Sequence, residues 1–257
     1  MPNNLEIEAK TKAAKIRSKL GFAQEPISDI FNLVESLGIL LTAKPLEESN
    51  ISAFFMHYKE NYLFFVNSAH SLGRQHFSIA HELYHYYFDE NLTGNICNTF
   101  KFKNQRNRSE KLADYFAVHF LMPTDGVLKY FDMIGSENIN IQKVIKAQNY
   151  FKVSFKAMLL RLRVLGLISN EEYKSMDETH LHSTFAKFGY TTDLIEPTNK
   201  TYIPQNYIEV LTENFEESKI SSKAYNEYLS DVGLIRKDLE KSEEETEYVI
   251  EEASFDY

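Results

Sequence analysis

The sequence predicts an α+β fold that is mostly helical, in which a small antiparallel or mixed sheet packs beside a helix carrying an HExxH motif. Apolar residues recur at three- and four-residue spacing along much of the chain, as in amphipathic helices. Three short β-like runs lie within residues 39–67, before the motif. Helical patterns then continue into the C-terminal region. With 257 residues and 43% apolar content, the chain can bury a sizeable core.

The N-terminal third supplies the predicted helices and strands that precede the motif. Residues 5–20 form a predicted helix that ends near Gly21, and residues 26–37 form a second one, with Pro26 in its first turn and Gly38 at its end. The β-like runs are 39–42, 51–56 and 62–67, with a hairpin turn at 59–61. An edge strand beside the motif helix would suit pairing with an extended peptide. A purely structural sheet fits the same pattern.

The motif itself reads His81-Glu82-Leu83-Tyr84-His85 and lies in an apolar stretch without proline or glycine. Residues four apart share a helix face, so His81 and His85 can offer two imidazole nitrogens to one Zn²⁺. Glu82 can then act as general base on a water that the metal activates. The competing interpretation is a helix whose histidines cap the edge of the core.

A third ligand is expected from a second helix, predicted for residues 109–123 with Ser109 as N-cap and Pro123 as its stop. Glu110 is the candidate, and Asp114, one turn later, can fix the tautomer of a ligand histidine. Without the motif, Glu110 would be a carboxylate favoured by the helix dipole, and Asp114 a surface acid. His119 and His76 point elsewhere and are expected to be structural or to line the cleft.

The rest of the chain is predicted to be largely helical, at 124–132, 139–150, 154–166, 170–178, 206–217 and 221–232, with a strand or loop region at 179–205. Residues 139–166 have the outline of a helix-turn-helix, but the second helix is mostly apolar, which favours packing over DNA contact. The predicted organisation is a core at 1–123, a helical region at 124–178, an accessory region at 179–235 and an acidic, disordered tail at 236–257.

Charge and cysteine content narrow the functional classes. The net charge is −9, and residues 236–257 alone carry nine acids and three bases. This balance argues against strong non-specific DNA binding. The single cysteine, Cys97, cannot form an internal disulfide, so a reducing cytoplasm is expected; a spare thiol is its simplest role, and an inhibitory zinc ligand the alternative. No apolar run is long enough for a membrane span, and the polar N-terminus is unlike a signal peptide.

Around these motifs the chain resembles the ImmA/IrrE family of zinc metallopeptidases. The first matching block runs from Arg74 to His85, close to the family's R-x-x-F-T-x-A-H-E-x-x-H. The second runs from Glu110 to Ala117, close to E-x-x-A-[ND]-x-F-A, and is followed by Phe120-Leu121-Met122-Pro123. Ser78 replaces a common Thr and Phe120 a common Leu, and neither is a proposed ligand. The likeness covers about residues 20–170.

The resemblance implies a gluzincin-like zinc site held by His81, His85 and Glu110, with Glu82 as base; Mn²⁺ is an alternative ion, and no oxyanion donor is assigned. It also implies a bacterial cytoplasmic endopeptidase that cleaves a protein partner, a helix-turn-helix (XRE-type) repressor or antitoxin encoded nearby, often on a mobile element. Two other functions stay open. One is a non-proteolytic module that sequesters such a partner, and the other is a DNA-binding regulator using residues 139–166.

Overall fold

The computed structural model describes residues 4–46, 51–58, 61–89, 108–177 and 181–234. The chain forms two compact units, Met1–Tyr202 and Ile203–Tyr257. The predicted boundaries at residues 123, 178 and 235 stay predictions. The hairpin turn, Cys97 and the acidic tail fall wholly or mostly outside the described residues.

The first unit contains three strands and nine helices in its described part. The helices are α1 (Asn4–Lys19), α2 (Ile30–Ser36), α3 (Leu72–Phe88), α4 (Arg108–Leu121), α5 (Thr124–Ile134), α6 (Ile141–Phe151), α7 (Phe155–Val164), α8 (Asn170–Asp177) and α9 (Leu181–Phe188); the strands are β1 (Ile39–Lys44), β2 (Ala53–Tyr58) and β3 (Asn61–Asn67). Helices predominate and the sheet is small, which confirms the predicted fold class.

The sheet is mixed and has the order β1-β3-β2. β1 runs parallel to β3 and β2 antiparallel to it, so β2 is an edge strand. On the face toward α3, Phe55 and Phe64 are fully buried and lie edge-on to each other, with Tyr86 of α3 packed against both. This aromatic contact fixes the motif helix on the sheet.

The central helices α3 and α4 lie side by side, and α1 covers α4. Arg17 of α1 is 2% exposed, yet its guanidinium is satisfied. It donates to three backbone carbonyl oxygens, those of Ala23, Glu25 and Phe120. Since every one of its nitrogens has a partner, this buried cation ties α1 to the end of α4 through backbone carbonyl groups.

One glycine permits a very close approach at the start of α3. A Cβ built on Gly73 would lie 2.4 Å from the backbone nitrogen of Ser154 and 2.8 Å from the carbonyl oxygen of Leu194. Any side chain there would push α3 away from the N-terminus of α7. Gly73 therefore sets how deeply the motif helix sits against the downstream helices.

Three sequence-based predictions about secondary structure are corrected. Helix α2 begins at Ile30, not near Pro26, because the side chain of Asp29 accepts a hydrogen bond from the backbone N–H of Asn32 and caps it there. Ser109 is not an N-cap, since α4 already includes Arg108 and the Ser109 hydroxyl donates to Asp89. The predicted strand or loop at 179–205 contains α9, whose spacing of Leu181, Phe185 and Phe188 is helical.

The helix-turn-helix outline is present in α6 and α7, joined through Lys152 in the left-handed conformation. The outer face of α7 carries two exposed apolar residues, Leu160 (42%) and Val164 (58%), while Lys156 forms an ion pair with Asp177. A helix that reads DNA presents polar or basic side chains at such positions. The exposed face of α7 therefore favours an apolar contact over a nucleic-acid contact.

In its described part the second unit contains α10 (Gln205–Glu216) and α11 (Ser222–Asp231). The ring of Phe215 stacks on that of Tyr225 at 4.5 Å, and the side chain of Ser221 caps α11. Among the described residues, no helix combines the length and apolar character that crossing a bilayer requires.

Candidate metal centre

The two motif histidines lie on one buried face of α3. His81 is 7% exposed and His85 is 2% exposed. Because they are four residues apart in the helix, their side chains lie one above the other. Their Nε2 atoms are 3.2 Å apart. The apolar residues around them in α3 pack into the core, so the helix holds both rings at the boundary between the core and α4.

Helix α4 brings Glu110 to the same point. One oxygen, Oε2, lies 3.3 Å from Nε2 of His81, and the other, Oε1, lies 3.4 Å from Nε2 of His85. Each of the three side chains offers one ligand atom, and these atoms lie within 4.8 Å of one another. His85 and Glu110 therefore meet in space although 24 residues separate them in the sequence.

Carboxylates hold the outer nitrogens of both histidine rings. His81 donates from Nδ1 to Oδ1 of Asp114 at 3.1 Å, the contact expected for Asp114 from its place on α4. His85 donates from Nδ1 to Oδ2 of Asp89 at 2.7 Å. The hydroxyl of Ser109 donates to Asp89 in turn, at 2.9 Å to Oδ1. Each ring is therefore fixed in one tautomer and one orientation.

The hydrogen bonds to the two Nδ1 atoms show whether the remaining ring nitrogens can bind a metal ion. If both rings carry a proton on Nδ1, both Nε2 atoms present lone pairs, and those lone pairs face each other at 3.2 Å beside a carboxylate. Three electron-pair donors at such distances repel one another unless a cation lies between them. The set of two imidazoles and one carboxylate matches the ligands of catalytic zinc sites. The donor set thus fits a divalent metal ion.

A proton can take the place of the metal ion between the histidine nitrogens and Glu110. Burial disfavours a charged His81, but hydrogen bonds to Asp114 and Glu110 outweigh it and raise the pKa of His81 to about 10. The hydrogen bond from His81 lowers the pKa of Glu110. The cluster is therefore strongly anionic when deprotonated, and metal binding would release a proton from it.

Among the described residues, Glu82 is the buried acid next to these ligands. It is 1% exposed, and its Oε2 atom makes no hydrogen bond to any described residue. Burial raises the pKa of Glu82, against the charges of His81 and His85, which lower it. A carboxyl whose proton affinity is raised, beside a candidate metal site, can accept a proton from water near neutral pH.

Sequence reasoning missed Asp89 and the role of Ser109, both of which support His85. The available signal was the spacing, because Asp89 follows His85 by four residues and so lies on the same face of α3. Of the residues near the motif, Tyr84 accepts a hydrogen bond from Lys12, and His76 contacts the carbonyl oxygen of Lys152. Neither side chain belongs to the cluster of His81, His85 and Glu110, and no described residue is assigned as oxyanion donor.

Comparison with models of protein families gives a match over half of the chain. Residues 34–163 match the family model Peptidase_M78, described as an IrrE N-terminal-like domain. The matched range includes the three strands and α3, α4, α5 and α6, with all five residues predicted for the site. No curated protein matches the chain.

Proposed function

The chain belongs to the Peptidase_M78 family of IrrE N-terminal-like domains, and from this premise we propose that it is a zinc-dependent endopeptidase that cleaves a protein partner. One observation carries the metal dependence: His81, His85 and Glu110 bring three ligand atoms to one point. Two carboxylates hold the histidine rings so that Nε2 of each faces that point. Zinc is the ion that this donor set favours, with Mn²⁺ as the alternative.

The proposed chemistry divides between the ion and Glu82. A divalent ion held there would lower the pKa of a water molecule and polarise the scissile carbonyl. Glu82 would accept a proton from the attacking water and deliver it to the leaving amine. Its burial suits both steps, because a raised pKa makes the carboxylate a better base and leaves the protonated form able to donate.

The edge strand β2 is the proposed docking element for the substrate backbone. It pairs on one side with β3, and its other edge has no strand partner among the described residues. The strand also packs against α3, the helix that carries the motif. An extended peptide that pairs with β2 would therefore lie beside the helix that carries the motif, as in strand addition.

The proposed partner is a helix-turn-helix repressor or antitoxin encoded nearby, and its support is the resemblance of the motif blocks to ImmA/IrrE proteins. The test is to incubate the purified protein with that gene product and Zn²⁺ or Mn²⁺, and to identify fragments by mass spectrometry. Glu82→Gln is the matched variant, since it keeps the size of the side chain and the three metal ligands. We expect one metal-dependent cut by the wild type and none by the variant.

Two outcomes would contradict the proposal. Cleavage at an undiminished rate by Glu82→Gln would remove the base from the mechanism. A stable complex in both proteins without any cut, under either ion, would favour a module that sequesters its partner. In that case Glu82→Gln would also leave the biological activity unchanged.

A further inference from the structure

Away from the metal centre, α1, α4 and α7 enclose a second group of buried polar side chains. Two cavities of about 470 and 590 Å³ lie there and share Lys10, His119 and Thr124 in their walls. The larger one is also lined by Arg161. Neither includes a residue of the metal centre, so the proposed peptidase chemistry does not use them.

Arg161 is a buried cation whose electrostatic partner is Glu6, an acid in the wall of the same cavity. It is 3% exposed, and both of its hydrogen bonds come from Nη2, to Oγ1 of Thr124 at 2.9 Å and to Nδ1 of His119 at 3.2 Å. Its Nε atom is buried and makes no hydrogen bond to any described residue, and the charge of Glu6 acts on the guanidinium. Arg17, which is equally buried, has all three nitrogens on carbonyl oxygens. The comparison shows that Arg161 is under-satisfied in a fold that elsewhere satisfies buried arginine.

His119 adds no negative charge beside Arg161. Arginine can only donate, so Nδ1 of His119 accepts from Arg161 and the ring proton lies on Nε2. Burial and the charges of Arg161 and Lys10 lower the pKa of His119 to about 4, which keeps the ring neutral. The Nε2 atom lies 3.6 Å from Oε1 of Glu6, whose side chain is 23% exposed at the edge of the cavity. The floor is therefore cationic, and Glu6 is the single acid that lines the larger cavity.

The mouth of the larger cavity is apolar. Ile7 of α1 is 52% exposed and Val164 of α7 is 58% exposed, and both line it together with Leu165. Lys10 is exposed at the same mouth and has no ion pair among the described residues. The larger cavity thus combines a buried guanidinium, an exposed lysine and a single acid below an apolar rim, and this net positive, partly apolar lining is the arrangement of a site for an anion with an apolar body.

We propose that this cavity binds a small organic anion, whose phosphate or carboxylate group contacts Arg161 and Lys10 and whose apolar part packs on Ile7 and Val164. Arginine and lysine bind such oxyanions through charge-assisted hydrogen bonds. Glu6 repels the ligand, so binding turns its carboxylate toward solvent. Removing the charge of Glu6 should therefore tighten binding.

The test is calorimetric titration of the metal-loaded protein with phenyl phosphate and with benzoate, and with inorganic phosphate as the anion without an apolar body. We expect saturable binding of at least one aromatic anion, and binding of inorganic phosphate weaker by about tenfold or more. Val164→Glu places a like charge at the mouth and should weaken binding at least about tenfold. Val210→Glu is the matched control, because Val210 is 55% exposed on α10 in the other unit. Glu6→Gln should tighten binding by about threefold or more.

Three results would overturn the proposal. The first is that neither aromatic anion binds, although the protein is folded by circular dichroism. The second is equal affinity of wild type, Val164→Glu and Glu6→Gln, which places the anion elsewhere. The third is binding that disappears on treatment with EDTA and survives in Val164→Glu, since the anion would then be a ligand of the metal.

Discussion

The hydrogen bond between His85 and Asp89 should control metal affinity more strongly than its counterpart between His81 and Asp114. The Asp89 bond measures 2.7 Å and the Asp114 bond 3.1 Å, and the side chains are 28% and 36% exposed. Asp89 is further held by the Ser109 hydroxyl. Losing such a partner typically costs about 10- to 100-fold in metal affinity, or about 1.4 to 2.7 kcal/mol. We expect Asp89→Ala near the upper end and Asp114→Ala near the lower end.

The assay is competition for Zn²⁺ against a chromophoric chelator at fixed pH and salt. Asp89→Asn should lie between wild type and Asp89→Ala, because its amide oxygen still accepts from Nδ1 of His85 but carries no charge. Asp132→Ala, an exposed acid on α5, serves as control and should leave the affinity unchanged. If Asp89→Ala bound Zn²⁺ as tightly as wild type, the tautomer of His85 would not depend on Asp89, and the reasoning would be refuted.

Three further predictions follow from single contacts. Gly73→Ala should lower the free energy of unfolding by roughly 1–3 kcal/mol in a urea titration, because its Cβ would meet the backbone of Ser154; an unchanged midpoint would contradict that close approach. The pKa of His119 is about 4 in the fold against 6.5 ordinarily, so its neutral form stabilises the fold fully above pH 6.5, and this contribution is lost as the pH falls toward 4. Wild type should therefore lose roughly 3 kcal/mol more than His119→Asn between pH 7 and pH 4, and parallel pH curves would exclude this. Addition of EDTA should lower the Tm of the metal-loaded wild type and leave that of His85→Ala unchanged; equal shifts would mean that the metal binds elsewhere.

The metal centre was the most predictable part of the molecule because its geometry is local. His81 and His85 share a helix face through their spacing alone, and Glu110 and Asp114 do so on the next helix. The structure brings His81, His85 and Glu110 together and places Asp114 on His81. Glu82 follows from its position next to the first histidine. What these residues do in catalysis stays a prediction.

The parts that sequence reasoning missed depend on contacts between distant segments. Pro26 fits a first helical turn, yet Asp29 caps α2 because its side chain reaches the N–H of Asn32. Serine is a common N-cap residue, but the hydroxyl of Ser109 donates a hydrogen bond to Asp89 at the end of α3. No local sequence pattern encodes that contact. In the sequence, Arg161 is simply one basic residue among leucines. Only the packing of α1, α4 and α7 shows that it is buried in the wall of a cavity and that its Nε atom makes no hydrogen bond to a described residue.

Zinc K-edge X-ray absorption on the metal-loaded protein, wild type and Glu82→Gln, tests the proposed centre most directly. We expect two imidazole nitrogens at about 2.0–2.1 Å with oxygen donors and no sulfur, and an unchanged spectrum in Glu82→Gln. In Glu110→Ala the zinc should be lost or the oxygen contribution reduced. A sulfur shell at about 2.3 Å, which would identify Cys97 as a ligand, or a spectrum without two imidazoles, would contradict the assignment of His81, His85 and Glu110.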